Sequence, residues 1–335
     1  DPYVTHYMFN RMLYNPAAAG ARGLFCFSAM SHYQYVGYED RTPEFYPATP
    51  TATPPPANKG VGPKTQFFSF SAPVRFNHVN YGGLGIGFMN DKLGYESSTH
   101  IKIDACGRLP LGEGSAISAG FEYNSLQKGL DGTKLKPLAP LDPLIPTNKV
   151  TQTKPSFGAG LYYNNDLENN VKWKDLWAGL SMSNINQQKY SYGSGFSYTY
   201  STTEKHIYLI GGATMIDFLG NPNLKLHPSM MLRRNTVTQV ELTGLLEYQD
   251  KLWGGLNYRS TVDALSIMLG YSGFQKKLKG LRIGYSYDIT LSRILKVSSG
   301  SHEIQLNYCF DLSIPPPPIK KYYTPRHLDR QIEND

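Results

Sequence analysis

The amino-acid sequence predicts an all-β protein, namely an antiparallel transmembrane β-barrel of the outer-membrane type with about 14 strands. Three observations support this fold class. Apolar and polar residues alternate in many segments, these segments are long for β-strands, and the connections between them follow a regular pattern of short and long.

The alternation is clearest in the last quarter of the sequence. In residues 281–289, Leu-Arg-Ile-Gly-Tyr-Ser-Tyr-Asp-Ile, every odd position is apolar or aromatic, and residues 265–271 and 304–312 show a similar pattern. A period of two indicates a β-strand, because successive side chains point to opposite faces. The apolar face of such strands meets either a second sheet in a soluble sandwich or lipid around a membrane barrel.

Strand length and tyrosine placement favour the membrane barrel over the sandwich. The alternating segments run for about nine to thirteen residues, close to the span of a tilted membrane strand, whereas strands of ordinary domains average about five or six. Tyr271, Tyr285, Tyr287 and Tyr308 lie on the apolar face near strand ends, where membrane barrels carry an aromatic girdle.

The order of strands and connections also fits a closed barrel. A first strand begins at Gly23, and further strands are predicted at residues 64–76, 80–89, 95–109, 115–127, 156–164, 176–184, 205–218, 225–233, 236–248, 251–258, 263–274, 280–291 and 301–312. Long connections follow the first, fifth, seventh and thirteenth strands, which are all odd-numbered. This parity is typical of a barrel with both termini in the periplasm, short periplasmic turns and long extracellular loops.

Two segments flank the predicted barrel, which covers residues 22–313. Residues 1–21 contain turn signals, so we expect an irregular N-terminal segment in the periplasm. Residues 314–335 form a proline-rich C-terminal tail, also expected in the periplasm, because consecutive prolines favour an extended conformation. The tail is either a disordered end or a docking segment for a periplasmic partner. The candidate partner-binding residues are Pro315, Pro316, Pro317, Pro318, Lys320, Lys321, Tyr322 and Tyr323.

Composition and motifs argue against several other classes. No apolar run reaches the roughly 18 residues of a transmembrane helix, and the start at Asp1 without a Met suggests a mature exported chain. The net charge of +7 is spread along the sequence, so nucleic acid is not an expected partner. No GxSxG motif with following His and Asp and no CxxC pair occurs, so we expect no catalytic, cofactor or metal site.

The polar face of the strands carries charges of both signs. The mixture predicts a salt-bridged interior that stiffens the barrel, and a pore that selects ions by charge is the alternative. Its members are Lys102, Asp104, Arg108, Glu122, Arg259, Arg282, Asp288, Glu303 and Asp311.

The three cysteines, Cys26, Cys106 and Cys309, fall on the same polar face. Cys26 and Cys309 lie on the first and last strands, which pair when a barrel closes. A disulfide between them is conceivable in an oxidising compartment, but buried free thiols are the expected state.

Several stretches resemble the PorP/SprF family of the type IX secretion system. The opening carries the first of them, with the family-motif residues Tyr7, Met8, Phe9, Asn10, Tyr14, Asn15, Pro16 and Gly20. The others are Lys-Thr-Gln at 64–66 and residues 252–260, 281–288 and 300–308. The resemblance spans residues 5–312 and consists mostly of structural motifs.

The resemblance implies an outer-membrane β-barrel of Bacteroidota that acts in type IX secretion and gliding motility and has no catalytic role. The implied partners are outer-membrane lipid, type IX secretion components, and a secreted surface adhesin or its C-terminal domain. The first hypothesis is therefore a barrel that anchors a secreted adhesin or cargo domain through its extracellular loops and periplasmic machine subunits through its termini. Two other hypotheses remain: an outer-membrane pore for small solutes, and a barrel that only tethers the envelope through its tail.

Overall fold

The computed structural model describes residues 3–40, 58–59, 61–77, 79–135, 146–167, 169–191, 201–260, 264–291 and 298–312. Fourteen strands form one sheet: β1 Phe25–Tyr33, β2 Lys64–Phe76, β3 Val79–Leu93, β4 Glu96–Gly112, β5 Ser115–Asp131, β6 Lys149–Asn165, β7 Trp173–Ser183, β8 His206–Met215, β9 Leu224–Arg234, β10 Thr238–Tyr248, β11 Leu252–Arg259, β12 Ala264–Tyr271, β13 Leu281–Thr290 and β14 Ser301–Phe310. Sequence neighbours pair antiparallel, and β1 also pairs with β14, so the sheet closes. The predicted fold class is confirmed.

The remaining regular elements are short. Two pairs of two-residue strands lie in the connections, Glu39–Asp40 with Asn58–Lys59 and Lys189–Tyr190 with Ser201–Thr202. Short 3-10 helices are Tyr7–Phe9, Arg11–Leu13, Pro16–Ala18, Gly132–Lys134, Phe218–Gly220 and Lys276–Leu278. Within the described residues, no helix combines the length and the apolar character needed to cross a membrane.

The barrel wall alternates as its sequence predicts. On β3, Leu84, Ile86 and Phe88 point outward and are 56%, 52% and 43% exposed. On β2, Phe68 is exposed, whereas its neighbour Phe67 faces the lumen and is fully buried. Because apolar side chains of this kind surround the barrel, the outer surface is suited to lipid hydrocarbon.

The two ends of the barrel differ in their connections. The longest connections are residues 34–63, 132–148, 184–205 and 291–300, and each follows an odd-numbered strand. We name the end that carries them the long-loop end. The opposite end has turns such as 113–114 and 249–251, and we name it the short-turn end. The predicted parity of the connections is therefore confirmed.

A disulfide bond closes the seam of the barrel at the short-turn end. Cys26 on β1 lies directly opposite Cys309 on β14, with their Cα atoms 4.1 Å apart, and the two are bonded. The expectation of free thiols is wrong for this pair, because closure of the sheet brings both side chains together on the same face. Cys106 is a free cysteine.

Residues 3–24 run through the lumen before β1 begins. At the long-loop end, the carbonyl oxygen of Tyr3 lies 2.8 Å from Nδ1 of His32, near the end of β1. At the short-turn end, Arg22 lies beside Cys309. The expectation that residues 1–21 lie in the periplasm, at the same end as the end of β14, is therefore wrong for the described residues 3–21. The predicted tail, 314–335, lies outside the described residues.

Candidate functional site

The lumen is the candidate functional site, and its main occupant is the segment 3–24, which we name the plug. Tyr7 and Met8 of the plug are 1% and 6% exposed, and Ala17 is fully buried. These residues join one buried cluster with Trp177 and Trp253 of the barrel wall. The plug thus occupies space that an open pore would require.

The plug is built from three short 3-10 helices rather than from a strand. The last of them begins at Pro16, and the side chain of Asn15 accepts a hydrogen bond of 2.9 Å from the backbone N–H of Ala17. A proline at the first helical position lacks only a donor that would have no intrahelical partner. Gly20 then adopts a φ of +62°, which directs the chain towards β1.

Residues 3–9 form what we name the polar half of the plug, because polar groups of the wall hold its backbone. The carboxylate of Glu303 accepts hydrogen bonds from the backbone N–H groups of Thr5, at 2.9 Å, and His6, at 3.1 Å. The same carboxylate lies 2.5 Å from Nδ1 of His6. The hydroxyl of Thr5 donates to Asp288 at 3.2 Å. Charge-assisted bonds of this kind are stronger than neutral ones.

Behind the polar half lies a buried network of ion pairs on the wall. Arg259 is 2% exposed and lies 3.3 Å from Glu241 and 3.6 Å from Asp288. His32 adds a contact of 3.7 Å to Asp288. Buried charges are tolerated only when they are paired and hydrogen-bonded, and here each named carboxylate has a cationic or imidazole neighbour.

Aromatic and hydroxyl contacts fill the middle of the lumen. The ring of Phe9 lies 5.1 Å from that of Trp253 in an edge-to-face arrangement. The hydroxyl of Tyr7 donates to Ser229 at 3.1 Å and accepts from Thr243 at 3.3 Å. Edge-to-face ring pairs add to the stabilisation that apolar burial provides.

Arg11 fixes the plug to the opposite wall. Its guanidinium group lies 3.9 Å from the ring centroid of Trp177 and donates a hydrogen bond of 2.8 Å to the hydroxyl of Tyr162. A second donor, Nε, reaches the carbonyl of Met8 at 3.1 Å. Arginine suits this position because its planar group stacks on an aromatic ring while it donates at its edge.

Residues 15–21 form what we name the packed half, because close backbone approach holds them. A Cβ atom added to Gly83 would overlap the carbonyl of Ala19, and one added to Gly120 would lie 2.6 Å from Cα of Ala17. Glycine is required where another backbone approaches this closely. A few hydrogen bonds support the packing, such as Asn80 Nδ2 to the carbonyl of Gly20 at 2.9 Å.

The mixed charges predicted for the lumen form ion pairs in several places. Lys102 and Glu122 are buried and 2.9 Å apart, and Arg282 lies 3.0 Å from Glu247. Arg108 donates to Asn164. Asp311 differs from the prediction, because it lies beyond β14, is exposed and pairs with Arg75. The described residues contain no group of His, Cys, Asp and Glu suited to a metal ion.

The eight family-motif residues all lie in the plug. Sequence reasoning missed the role of this segment. It also missed Trp253, which contacts Phe9 of the plug, Glu241, which pairs with Arg259 of the wall, and the role of His6. The available signal was the run of lumen-facing glycines on β3, because such positions mark close approach of another backbone. The candidate tail residues 315–318 and 320–323 lie outside the described part of the chain.

A cavity opens at the short-turn end beneath the plug. Its volume is about 680 Å³, and its lining includes Arg11, Arg22, Arg108 and Arg282. Glu247 in the same wall is paired with Arg282 and with His227. The end of the barrel that carries the short turns is thus concave and partly cationic.

The long-loop end carries a structured rim. The strand pair Lys189–Tyr190 and Ser201–Thr202 folds onto the ends of β5 and β6. There the side chain of Lys154 donates a hydrogen bond of 2.6 Å to the carbonyl of Lys189. Tyr190 is fully buried and donates to the carbonyl of Leu126 at 3.2 Å. Burial raises the pKa of Tyr190 to about 12. A pit of about 280 Å³ lies in the same rim.

Comparison with known protein families agrees with the barrel fold. The family described as "Type IX secretion system membrane protein PorP/SprF" matches residues 1–308. The chain belongs to this family. No curated protein matches the sequence significantly. As a member of the PorP/SprF family with a closed antiparallel barrel, the protein is located in the bacterial outer membrane.

Solved structures with a similar fold are outer-membrane barrels. The toluene transporter TbuX of Ralstonia pickettii has a TM-score of 0.50 and 11% identity, covering 90% of this chain and 93% of its own. A FadL homologue from Pseudomonas aeruginosa has a TM-score of 0.45 and 12% identity, covering 89% and 92%. At such low identity the likeness to TbuX shows the fold alone. The PorP/SprF barrel shares its architecture with TbuX.

Proposed function

We propose that this PorP/SprF barrel is a non-enzymatic anchor in the type IX secretion and gliding machinery. In this proposal the extracellular rim holds a secreted adhesin, through its C-terminal domain or another cargo domain. The periplasmic end and the tail contact machine subunits. The single observation that carries the proposal is the plug, because a lumen filled by the chain itself suits a rigid mount better than a solute pore.

The orientation of these contacts follows from the loop asymmetry. Outer-membrane barrels place long loops outside and short turns in the periplasm. The long-loop rim, with its docked strand pair and pit, is then the surface available to an exported domain. The short-turn cavity faces the periplasmic subunits. β14 ends at this same end, and the candidate tail residues, Pro315 to Pro318 and Lys320 to Tyr323, come after it in the sequence.

Crosslinking in the native membrane tests the two sets of contacts. The full chain is purified with an affinity tag after treatment with an amine-reactive crosslinker, and its partners are identified by mass spectrometry. We expect an exported adhesin on the long-loop lysines Lys189 and Lys205. We expect periplasmic secretion subunits on Lys251 and Lys279 of the short-turn connections. Recovery of neither class of partner would contradict the anchor.

Conductance in planar bilayers separates the anchor from the competing solute pore. We expect the intact barrel to remain closed, because the plug occupies the lumen. Steady open conductance of the full chain would favour the pore. Deletion of the gene separates the anchor from a purely structural tether, since secretion of the cargo continues normally if the barrel only tethers the envelope.

A further inference from the structure

A row of basic and aromatic side chains crosses the outside of the barrel at the long-loop end. In register, Tyr287 pairs with His302, His302 with Tyr33, Tyr33 with Lys64, and Lys64 with Lys92. We name these five residues on five adjacent strands the rim row. All five lie on the outward face of their strands, because the alternate neighbours Glu303 and Thr65 are buried in the lumen.

The two lysines of the rim row repel each other. Lys64 and Lys92 are directly opposite on neighbouring strands, and both are exposed. Like charges in this position are destabilising. Within the described residues neither lysine forms an ion pair with a carboxylate. An anion placed between the two ammonium groups would remove the repulsion.

The neighbouring aromatic residues complete the surface. Nζ of Lys64 lies 5.7 Å from the ring centroid of Tyr33. On the other side, the hydroxyl of Tyr285 lies 2.7 Å from Nδ1 of His302, and the ring of Tyr287 lies 5.2 Å from that of His302. Tyrosine and histidine of this kind combine an apolar body with a polar tip, which suits the boundary between hydrocarbon and headgroups.

The rim row lies at the height of lipid headgroups. Four residues along from Lys64 and Lys92, the apolar belt begins with Phe68 and Phe88, which are 47% and 43% exposed. Four residues of strand span about 13 Å, and a strand tilt of about 40° reduces this to a height of about 10 Å. At this height above the apolar belt, lysine side chains keep their ammonium groups in the polar boundary.

We propose that the rim row binds phosphate groups of a phosphorylated glycolipid in the outer leaflet of the membrane. The ammonium groups of Lys64 and Lys92 flank one phosphate, and Tyr33 and His302 contact the adjoining sugar. Charge complementarity selects this occupant, because the pair is cationic, outward-facing and level with the headgroups. The inference depends on the outer-membrane location and not on the anchor function.

Native mass spectrometry of the purified full chain in detergent tests the proposal. The probe is a lipid A that carries phosphate, compared with the same lipid after enzymatic removal of its phosphates. We expect K64Q/K92Q to retain the phosphorylated lipid about 25-fold less than the unchanged protein, the product of about fivefold for each lysine near an anionic headgroup.

Matched variants distinguish the loss of this site from a general loss of positive charge and from misfolding. K172Q/K276Q removes two exposed lysines at the short-turn end and is expected to bind like the unchanged protein. K64R/K92R keeps the charges and is expected to retain the lipid. Equal retention by K64Q/K92Q and K172Q/K276Q would overturn the proposal. So would equal binding of the dephosphorylated lipid, or displacement of the lipid by millimolar inorganic phosphate, which would indicate a site for free phosphate.

Discussion

The polar half and the packed half of the plug are held in the same lumen by different physical means. In residues 3–9, the backbone donates to ionised carboxylates, above all to Glu303. In residues 15–21, the backbone lies against glycines of the wall, such as Gly83 and Gly120. The first arrangement depends on charge and hydrogen-bond geometry, and the second depends on empty volume. A substitution that disrupts one half therefore need not disturb the other.

The two halves of the plug respond to different kinds of substitution. Removing one partner of a buried charge-assisted bond leaves the remaining groups without solvation, which is costly. Removing volume at a glycine is impossible, so the packed half changes only when side-chain atoms are added. The polar half is thus sensitive to lost groups, and the packed half is sensitive to gained ones.

The largest expected effect comes from Glu303→Ala. The substitution leaves the two backbone N–H groups of Thr5 and His6 without their acceptor and removes a partner of the imidazole. Breaking a buried ionic contact of this kind costs about 3–5 kcal/mol. We expect faster hydrogen exchange at residues 5 and 6, measured by mass spectrometry, while residues 15–21 stay protected.

The control for this prediction lies two positions further along β14. Gln305 is buried and faces the lumen, but within the described residues no hydrogen bond joins it to the backbone of the plug. Gln305→Ala should therefore leave exchange at residues 5 and 6 unchanged. Equal exchange in both variants would mean that the carboxylate does not hold the polar half.

The next effect in size concerns the wall rather than the plug. The disulfide joins Cys26 and Cys309, which are 283 residues apart in the sequence. Loss of a native disulfide costs about 2–4 kcal/mol. We expect the double substitution Cys26→Ser with Cys309→Ser to lower the midpoint of urea unfolding in lipid vesicles, with both halves of the plug still protected from exchange.

Electrophoresis gives an independent check on the seam. The unfolded chain should migrate faster without reductant than with it, and the serine variant should show no difference. If reduction of the disulfide alone released the plug, the disulfide would hold the plug as well as the wall. The expectation that the plug stays protected without the disulfide would then be wrong.

A smaller effect is expected from Gly120→Ala in the packed half. The new Cβ would lie 2.6 Å from Cα of Ala17, so the plug or the wall must shift. Overpacking of this kind costs about 1–3 kcal/mol. We expect faster exchange at residues 15–21 with residues 5 and 6 unchanged, the reverse of the result for Glu303→Ala.

Gly107→Ala supplies the matched control, because it lies on the neighbouring strand β4, points outward and has no atom within 4 Å of an added Cβ. We expect this variant to unfold at the same urea concentration as the unchanged protein. If both alanine variants behaved alike, close backbone approach would not be what holds the packed half.

The sequence predicted the wall well because the relevant signal is local. The alternation of Leu84, Ile86 and Phe88 with glycines specifies which side of β3 faces lipid, whatever the rest of the chain does. The order of strands then follows from the same signal repeated, and closure pairs the first strand with the last. Alternation places Cys26 and Cys309 on the same face of these two strands, but it does not set the register that brings them directly opposite each other, so their bond could not be predicted as formed.

The plug could not be predicted because its stabilising contacts are not local. Thr5 and Glu303 are 298 residues apart in sequence, and no periodic pattern in residues 1–21 points to either lumen or solvent. Turn signals such as Asn15-Pro16 describe the local backbone correctly as irregular. They do not say what an irregular segment packs against. The lumen-facing glycines of β3 indicated a close neighbour but not its identity.

The smallest expected effect is the coupling between the two halves, and it is the sharpest test of their independence. A double-mutant cycle combines Glu303→Gln with Gly120→Ala, two residues that contact different halves of the plug. Substitutions without shared partners usually add to within about 0.3–0.5 kcal/mol. We therefore expect the losses in the free energy of unfolding to sum. If instead the first substitution already releases the whole plug, the second should cost almost nothing, because the backbone of Ala17 would no longer lie against position 120. A coupling of the size of the smaller single effect would show that the plug leaves the lumen as one piece.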